Sequence, residues 1–302
     1  MTADGLIAVP WDDAQRQGFG RRPMVFGHRL AATGLFDDGP LAGLLDGYPA
    51  ELFDINLFDM GPDGQMTMRT GVRGRRPGRE VLEGVKEGRV WVQLRGVETH
   101  HAPLGRAIRA AFAEIAAEVP GFRPVQLTGQ LILSAPGAKV PFHADAPGVC
   151  LFHIRGRKRI WIYPNDERHM PQRSMEDIML KQTTEDLPYD PRMDAAAQVF
   201  DLEPGMAATW PLHAPHRIEN LGTFNVSLSV DYQTWTSRMI NGAHYANGIL
   251  RRRGLPVAAM SRTPAPARAA LWAAHLAMKR MGLVEDRIGG IERSFELGEA
   301  RG

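Results

Sequence analysis

The sequence predicts an α+β fold: a run of short strands folded into a barrel or sandwich, with helices before and after it. Three observations predict this. Between about residues 126 and 232, segments of four to nine residues rich in Val, Ile, Leu and Phe recur, separated by Pro/Gly turns, the spacing of an all-β sandwich or barrel. Ahead of them, Leu104, Ile108, Phe112 and Ile115 form one helical stripe opened by Pro103. After Tyr232 the period becomes helical again, most clearly over residues 266–281, where Leu271, Trp272, Leu276 and Met278 supply an apolar side.

The elements follow in order. A short helix is expected at 38–45, with Asp37 or Asp38 available as its cap, and a strand at 89–94 around Val90, Trp91 and Val92. The helix from Pro103 runs to about Glu118 and stops at Pro120-Gly121. Strands are expected at 126–134, 149–155 and 158–163, the last two joined by the tight turn Gly156-Arg157. A polar stretch over 164–195, rich in Asp, Glu, Arg and Met, is long for a structureless loop, and loops of that length usually serve function or carry small elements. Strands resume at 198–202, 207–210, 216–220 and 224–232. The chain divides on this reading into an N-terminal α/β region (1–120), a β core (121–235) and a C-terminal helical region (236–302).

Bulk properties narrow the function classes. At 302 residues, 44% hydrophobic and 23% charged, the chain can bury a sizeable core. A net charge of +2, with the two signs interleaved, argues against a phosphate-tracking surface, so no nucleic-acid partner is expected. The basic runs at 73–79 and 251–253 read as solvated loop or helix ends. The single cysteine, Cys150, fits a reducing, cytoplasmic setting. No apolar run reaches the eighteen residues of a membrane span.

Of ten histidines, only His143 stands two residues before a carboxylate, Asp145. At strand spacing, side chains at i and i+2 leave the same face, so the imidazole and the carboxylate can point together. Two His and one carboxylate on one face of a metal leave three positions open, an arrangement that suits Fe(II) and oxygen chemistry. The missing ligand would be a His on a later strand, and His213 and His216 compete for it. His-x-Asp alone is weak; the Pro204-Gly205 turn, a short strand, Pro211 and then His216 give it context.

These segments together resemble the JmjC-type and bacterial cupin-like Fe(II)/2-oxoglutarate oxygenases. The matching stretches are PGAKVPFHAD over 136–145, IRGRKR over 154–159, LEPG over 202–205, PLHAPH over 211–216 and VSLSVDY over 226–232. The resemblance implies a double-stranded β-helix (cupin or jelly-roll) barrel, with His143, Asp145 and His216 as iron ligands and His213 left at the rim. It makes Lys158 the partner of the distal carboxylate of 2-oxoglutarate, on a strand whose Lys158, Ile160 and Ile162 share a face. His153 shares parity with Val149 and Leu151, the side relatives turn toward the cosubstrate; it either touches ligand or is a satisfied core histidine. Three positions depart from relatives: Val140 where Thr or Tyr supports the lysine, Val149 where Asn is frequent, and Asp231 where an asparaginyl hydroxylase of the family has Asn. A carboxylate facing a carboxylate repels unless one is protonated or paired. The implied activity is O₂-dependent hydroxylation of a small molecule or peptide side chain, with a homodimer through the C-terminal helices compatible with the pattern. The competing reading is a metal-binding cupin that senses a ligand without turnover, and the same three ligands would also take Mn, Co, Ni or Zn.

Overall fold

The computed structural model describes residues 5–60, 66–88, 90–283, 288 and 291–297. In chain order, α1 (Asp13–Gly18) and β1 (Met24–Gly27) precede α2 (Asp38–Gly47), β2 (Phe53–Met60), β3 (Met66–Val72) and α3 (Gly78–Lys86). Next come β4 (Trp91–Arg95), α4 (Val97–His100), α5 (Ala102–Glu118), β5 (Gln126–Ser134), β6 (Lys139–His143), β7 (Gly148–Arg155) and β8 (Lys158–Ile162). They are followed by α6 (Gln172–Met179), β9 (Gln198–Leu202), β10 (Met206–Thr209), β11 (His216–Asn220) and β12 (Asn225–Gln233). Helices α7 (Trp235–Arg252) and α8 (Ala265–Arg280) and the short β13 (Arg293–Glu296) complete the set.

The strands form two sheets. The larger has the order β1-β10-β7-β12-β5-β4-β2-β3-β13, antiparallel except for the β13–β3 pair, and the smaller has the order β6-β11-β8-β9. The fold is therefore α+β, as expected, but the large sheet runs across residue 120: β4 pairs with β5, and β1 pairs with β10.

Alternation along the strands explains why one sheet can carry two cores. Leu131 and Leu133 on β5, Cys150, Phe152 and Ile154 on β7, and Val226, Leu228, Val230 and Tyr232 on β12 face a cluster shared with α5. The opposite face of β7 and β10 presents Val149, Leu151 and Ala208 to Ile160, Ile162 and Leu202 of the small sheet. The two sheets thus pack face to face, and the candidate site lies between them.

Helix α5 is held against the large sheet by the predicted stripe: Leu104, Ile108, Phe112 and Ile115 are all buried. The His101 imidazole accepts from Leu104 N–H at the helix start, and Pro103 needs no partner there. The Phe112 ring lies 5.8 Å from Tyr232 and 6.3 Å from both Phe122 and Phe152. Phe112→Ala is therefore expected to lower unfolding stability by about 3–5 kcal/mol in urea titrations, the usual range for emptying a buried aromatic site. An effect below ~1 kcal/mol would mean that the cluster collapses around the gap. Cys150 is a free thiol, wholly buried in mid-β7, and burial pushes its pKa well up.

Two regions carry detail beyond the sequence pattern. The 164–195 stretch carries α6 and a 3₁₀ turn over Pro191–Ala196, and it is fastened to the small sheet. The Asp194 carboxylate accepts from the Tyr163 and Tyr189 hydroxyls and from Arg217, whose guanidinium lies 3.5 Å over the Trp161 ring. Helix α7 spans 18 residues although Gly242 and Gly248 weaken its sequence signature. Both glycines are there for close approach: a Cβ at 242 would stand 2.6 Å from His275 and Trp272, and one at 248 would stand 2.6 Å from Leu180. Among the described residues no helix is long and apolar enough to cross a membrane.

Candidate metal centre

The β6–β11 ladder positions two histidines. His143 pairs with His216 and Val140 with Ile218, so β6 holds an extra residue opposite Arg217, a bulge of the kind frequent beside functional sites. Asp145 lies beyond the end of β6, so a regular strand does not hold it as the spacing argument assumed. The 164–195 stretch folds back instead: Ala144 N–H donates to Glu185 O, Leu187 N–H donates to Phe142 O, and Asp186 bridges His143. That pairing holds the backbone of residues 142–144 beside residues 185–187.

The result brings the three predicted ligands together. His143 Nε2 is 3.7 Å and His216 Nε2 is 3.3 Å from the Asp145 carboxylate, and one donor atom from each residue lies within 4.8 Å of the others. Carbonyls fix the tautomers. His143 Nδ1 donates to Pro141 O at 2.8 Å and His216 Nδ1 to Ala214 O at 3.3 Å, leaving both Nε2 lone pairs aimed inward. Trp210 packs against the His216 ring at 4.3 Å.

The electrostatics suits a cation. Burial raises the Asp145 pKa, partly opposed by His143, and burial lowers that of His216 far enough to keep it neutral. A carboxylate removed from water is poorly placed without a positive charge, and a divalent ion would take that carboxylate and the two imidazoles as ligands. Asp231 and Glu185 add to the demand. Burial, then the Asp145 and Glu185 carboxylates, push Asp231 well above the usual range; among the described residues its carboxyl group accepts only from Gln130 Nε2, at 3.4 Å. Burial and Asp145 push Glu185 up to about 7. Nothing in the sequence singled out Glu185, because only the return of the long connection brings it to Asp145.

Lys158 sits on the same face of the small sheet. The ladder pairs Ile162 with His216, Ile160 with Ile218 and Lys158 with Asn220, so Lys158 is four residues along the strand from the His216 rung, roughly 13 Å between backbones. The parity read from sequence holds: Lys158, Ile160 and Ile162 are buried, while Arg159 and Trp161 are half-exposed. The Lys158 ammonium has no hydrogen-bond or ion-pair partner among the described residues, and burial lowers its pKa to about 7. Val140 and Val149 supply no polar partner for it.

His153 is fully buried on the expected face, opposite Ser227. Its Nε2 donates to Gly156 O at 2.9 Å and its Nδ1 accepts from the Ser227 hydroxyl at 3.1 Å, so both nitrogens are engaged within the chain. Burial, then the Lys158 charge, lowers its pKa to about 3. His213, expected at a rim, is buried, and its ring bonds to Asn241 of α7. A groove of about 1070 Å³ opens beside the centre, between residues 178–185 and helices α7 and α8; Glu185 and Ala146 line its inner end, and Trp235, Tyr245 and Trp272 its walls.

No family model and no curated protein matches the sequence. Among solved structures, that of YcfD from E. coli superposes with a TM-score of 0.51 at 20% identity, covering 93% of this chain and 70% of that one. A second, of YcfD described as a ribosomal oxygenase from Escherichia coli in complex with cobalt and 2-oxoglutarate, gives a TM-score of 0.50 at 19% identity, covering 91% of this chain and 68% of that one. The resemblance drawn from the motifs thus holds at the level of architecture: the chain shares the fold of an oxygenase solved with a metal and 2-oxoglutarate.

Proposed function

We propose that this protein is an Fe(II)- and 2-oxoglutarate-dependent oxygenase, with the two facing sheets as the walls of a double-stranded β-helix spanning about residues 121–235. The net reaction is substrate C–H + 2-oxoglutarate + O₂ → substrate C–OH + succinate + CO₂. One oxygen atom goes to succinate and the other to the new hydroxyl. His143, Asp145 and His216 hold the metal, which when bound supplies the oxygen chemistry that side chains cannot.

The chain's own residues have separate tasks. The two imidazoles and the carboxylate would hold the ion, and a set of two His and one carboxylate would leave coordination positions for cosubstrate and oxygen. Lys158 receives the distal carboxylate of the cosubstrate. His153, held by Gly156 and Ser227, shapes the wall beside Lys158 through its ring. The apolar lining of Val149, Leu151, Ile160 and Trp210 keeps water from the reacting atoms. The substrate, a peptide side chain or a small molecule, approaches through the groove bordered by residues 178–185.

The observation that carries this reading is the buried, unpaired Lys158 ammonium on the same sheet face as the ligand triad. A charge so placed calls for an anion. The likeness to a structure holding cobalt and 2-oxoglutarate supports the same assignment. Anaerobic reconstitution with Fe(II) and 2-oxoglutarate should give a weak charge-transfer band in the green region, absent in Lys158→Ala and in His216→Ala. Stoichiometric iron without that band would sink the 2-oxoglutarate assignment and favour a ligand-sensing cupin.

A further inference from the structure

His213 has a left-handed backbone, φ +64°, in the turn between β10 and β11. That conformation is strained for a residue with a Cβ, and Gly or Asn would adopt it more readily. The ring is nevertheless turned inward and buried, with Nε2 2.8 Å from Asn241 Oδ1. The other end of the same amide, Asn241 Nδ2, donates to Ala146 O at 2.8 Å. A carbonyl can only accept, so Ala146 fixes the orientation of the amide, and the amide oxygen in turn places the proton on His213 Nε2. The His244 ring packs edge-on against His213 at 5.4 Å.

The two ends of this chain of bonds belong to different loops. Ala146 follows Asp145 directly, and His213 lies three residues before His216. Asn241 lies on α7, an 18-residue helix with a capping box, packed against both α6 and α8. We propose that Asn241 and His213 form an amide–imidazole relay that fixes the Asp145 and His216 loops to α7, with both as positioning residues for the metal ligands. This rests on the reading of His143, Asp145 and His216 as the metal site. It accounts for a histidine in a strained turn: the ring supplies a donor that glycine cannot, and the rigid helix gives both loops a common reference. Asn241 and Ala146 also line the groove, so the relay joins the groove wall to the metal shell.

The test is a Co(II) titration of the full chain, followed by visible absorption, for wild type, His213→Gly, Asn241→Leu and His216→Ala. Glycine suits the left-handed turn, so a role confined to the backbone of residue 213 predicts unchanged binding in His213→Gly. The relay predicts Co(II) binding weakened about 10–100-fold in both His213→Gly and Asn241→Leu, with shifted d–d bands and wild-type far-UV circular dichroism. Binding within twofold of wild type, with an unchanged spectrum, overturns it. The two substitutions remove opposite ends, so whichever variant folds decides alone; if neither folds, the relay is a folding element and the proposal fails. A wild type that binds no Co(II), or a His216→Ala variant that binds as tightly as wild type, overturns the metal reading itself and the relay with it.

Discussion

Lys158→Met is expected to make the metal-free protein more stable while abolishing 2-oxoglutarate binding. Both effects come from one ammonium group. In the unfolded chain a lysine ionises near pH 10.4, whereas burial in this fold brings Lys158 to about 7. A base with a depressed folded-state pKa works against folding wherever the buried amine must either carry its charge or give up a proton that the unfolded chain keeps. The penalty is full below pH 7 and fades as pH rises from 7 toward 10.5. Its upper bound is on the order of 4–5 kcal/mol, from about 1.4 kcal/mol per pH unit of displacement. Methionine has a similar length and no charge to desolvate, and it packs among Ile160, Leu202 and their neighbours. Denaturation at pH 6.5 should show the gain, which should shrink steadily by pH 10. Calorimetry should show no heat with 2-oxoglutarate. In the wild type the incoming carboxylate restores the charged amine, so binding above pH 7 should take up a proton, read from the dependence of the heat on buffer ionisation enthalpy. A destabilised Lys158→Met would mean that the amine has a partner within the fold.

His216→Ala should remove metal binding at concentrations that saturate the wild type. His216 is 2% exposed, with its ring 4.3 Å from Trp210 and 4.1 Å from His143, and truncating it takes away one of the three grouped donors. The readout need not be catalytic. A ligand present at 100 times its dissociation constant stabilises a fold by about 2.7 kcal/mol, so Co(II) or Mn(II) should raise the wild-type melting temperature by several degrees and leave the variant unmoved. An equal metal-induced shift in both proteins would place the ion elsewhere.

Much of this was legible in the amino-acid sequence where local chemistry and final contacts agree. The strands Gln126–Ser134, Gln198–Leu202 and His216–Asn220 end where the alternation and the turn residues say they should. His216 and Lys158 start the strands expected of them, and Asp145 comes beside His143 although it lies beyond the end of β6. What was hidden depended on contacts between distant segments. Strand β6 is short, interrupted by Pro141 and bulged, so periodicity does not reveal it. The glycines of α7 weaken its helical signature, and the reason for them is visible only with α6 and α8 packed against that helix. Glu185 and Asn241 carry no local mark at all. Each reaches the centre because a long connection or a helix folds back over it, and His213 is buried rather than at the rim because Asn241 draws its ring inward.

Cys150 gives the molecule a built-in clock. It is the chain's one thiol, buried in a strand whose two neighbours, β10 and β12, must separate before a reagent can reach it. Alkylation in native buffer should therefore proceed through rare openings of the central sheet rather than through surface fluctuations. The labelling rate, followed by mass spectrometry, would report how often the scaffold beneath the metal centre comes apart. Because β7 also carries Val149 and His153 on its other face, occupancy of the site should slow that rate in proportion to the stability it adds.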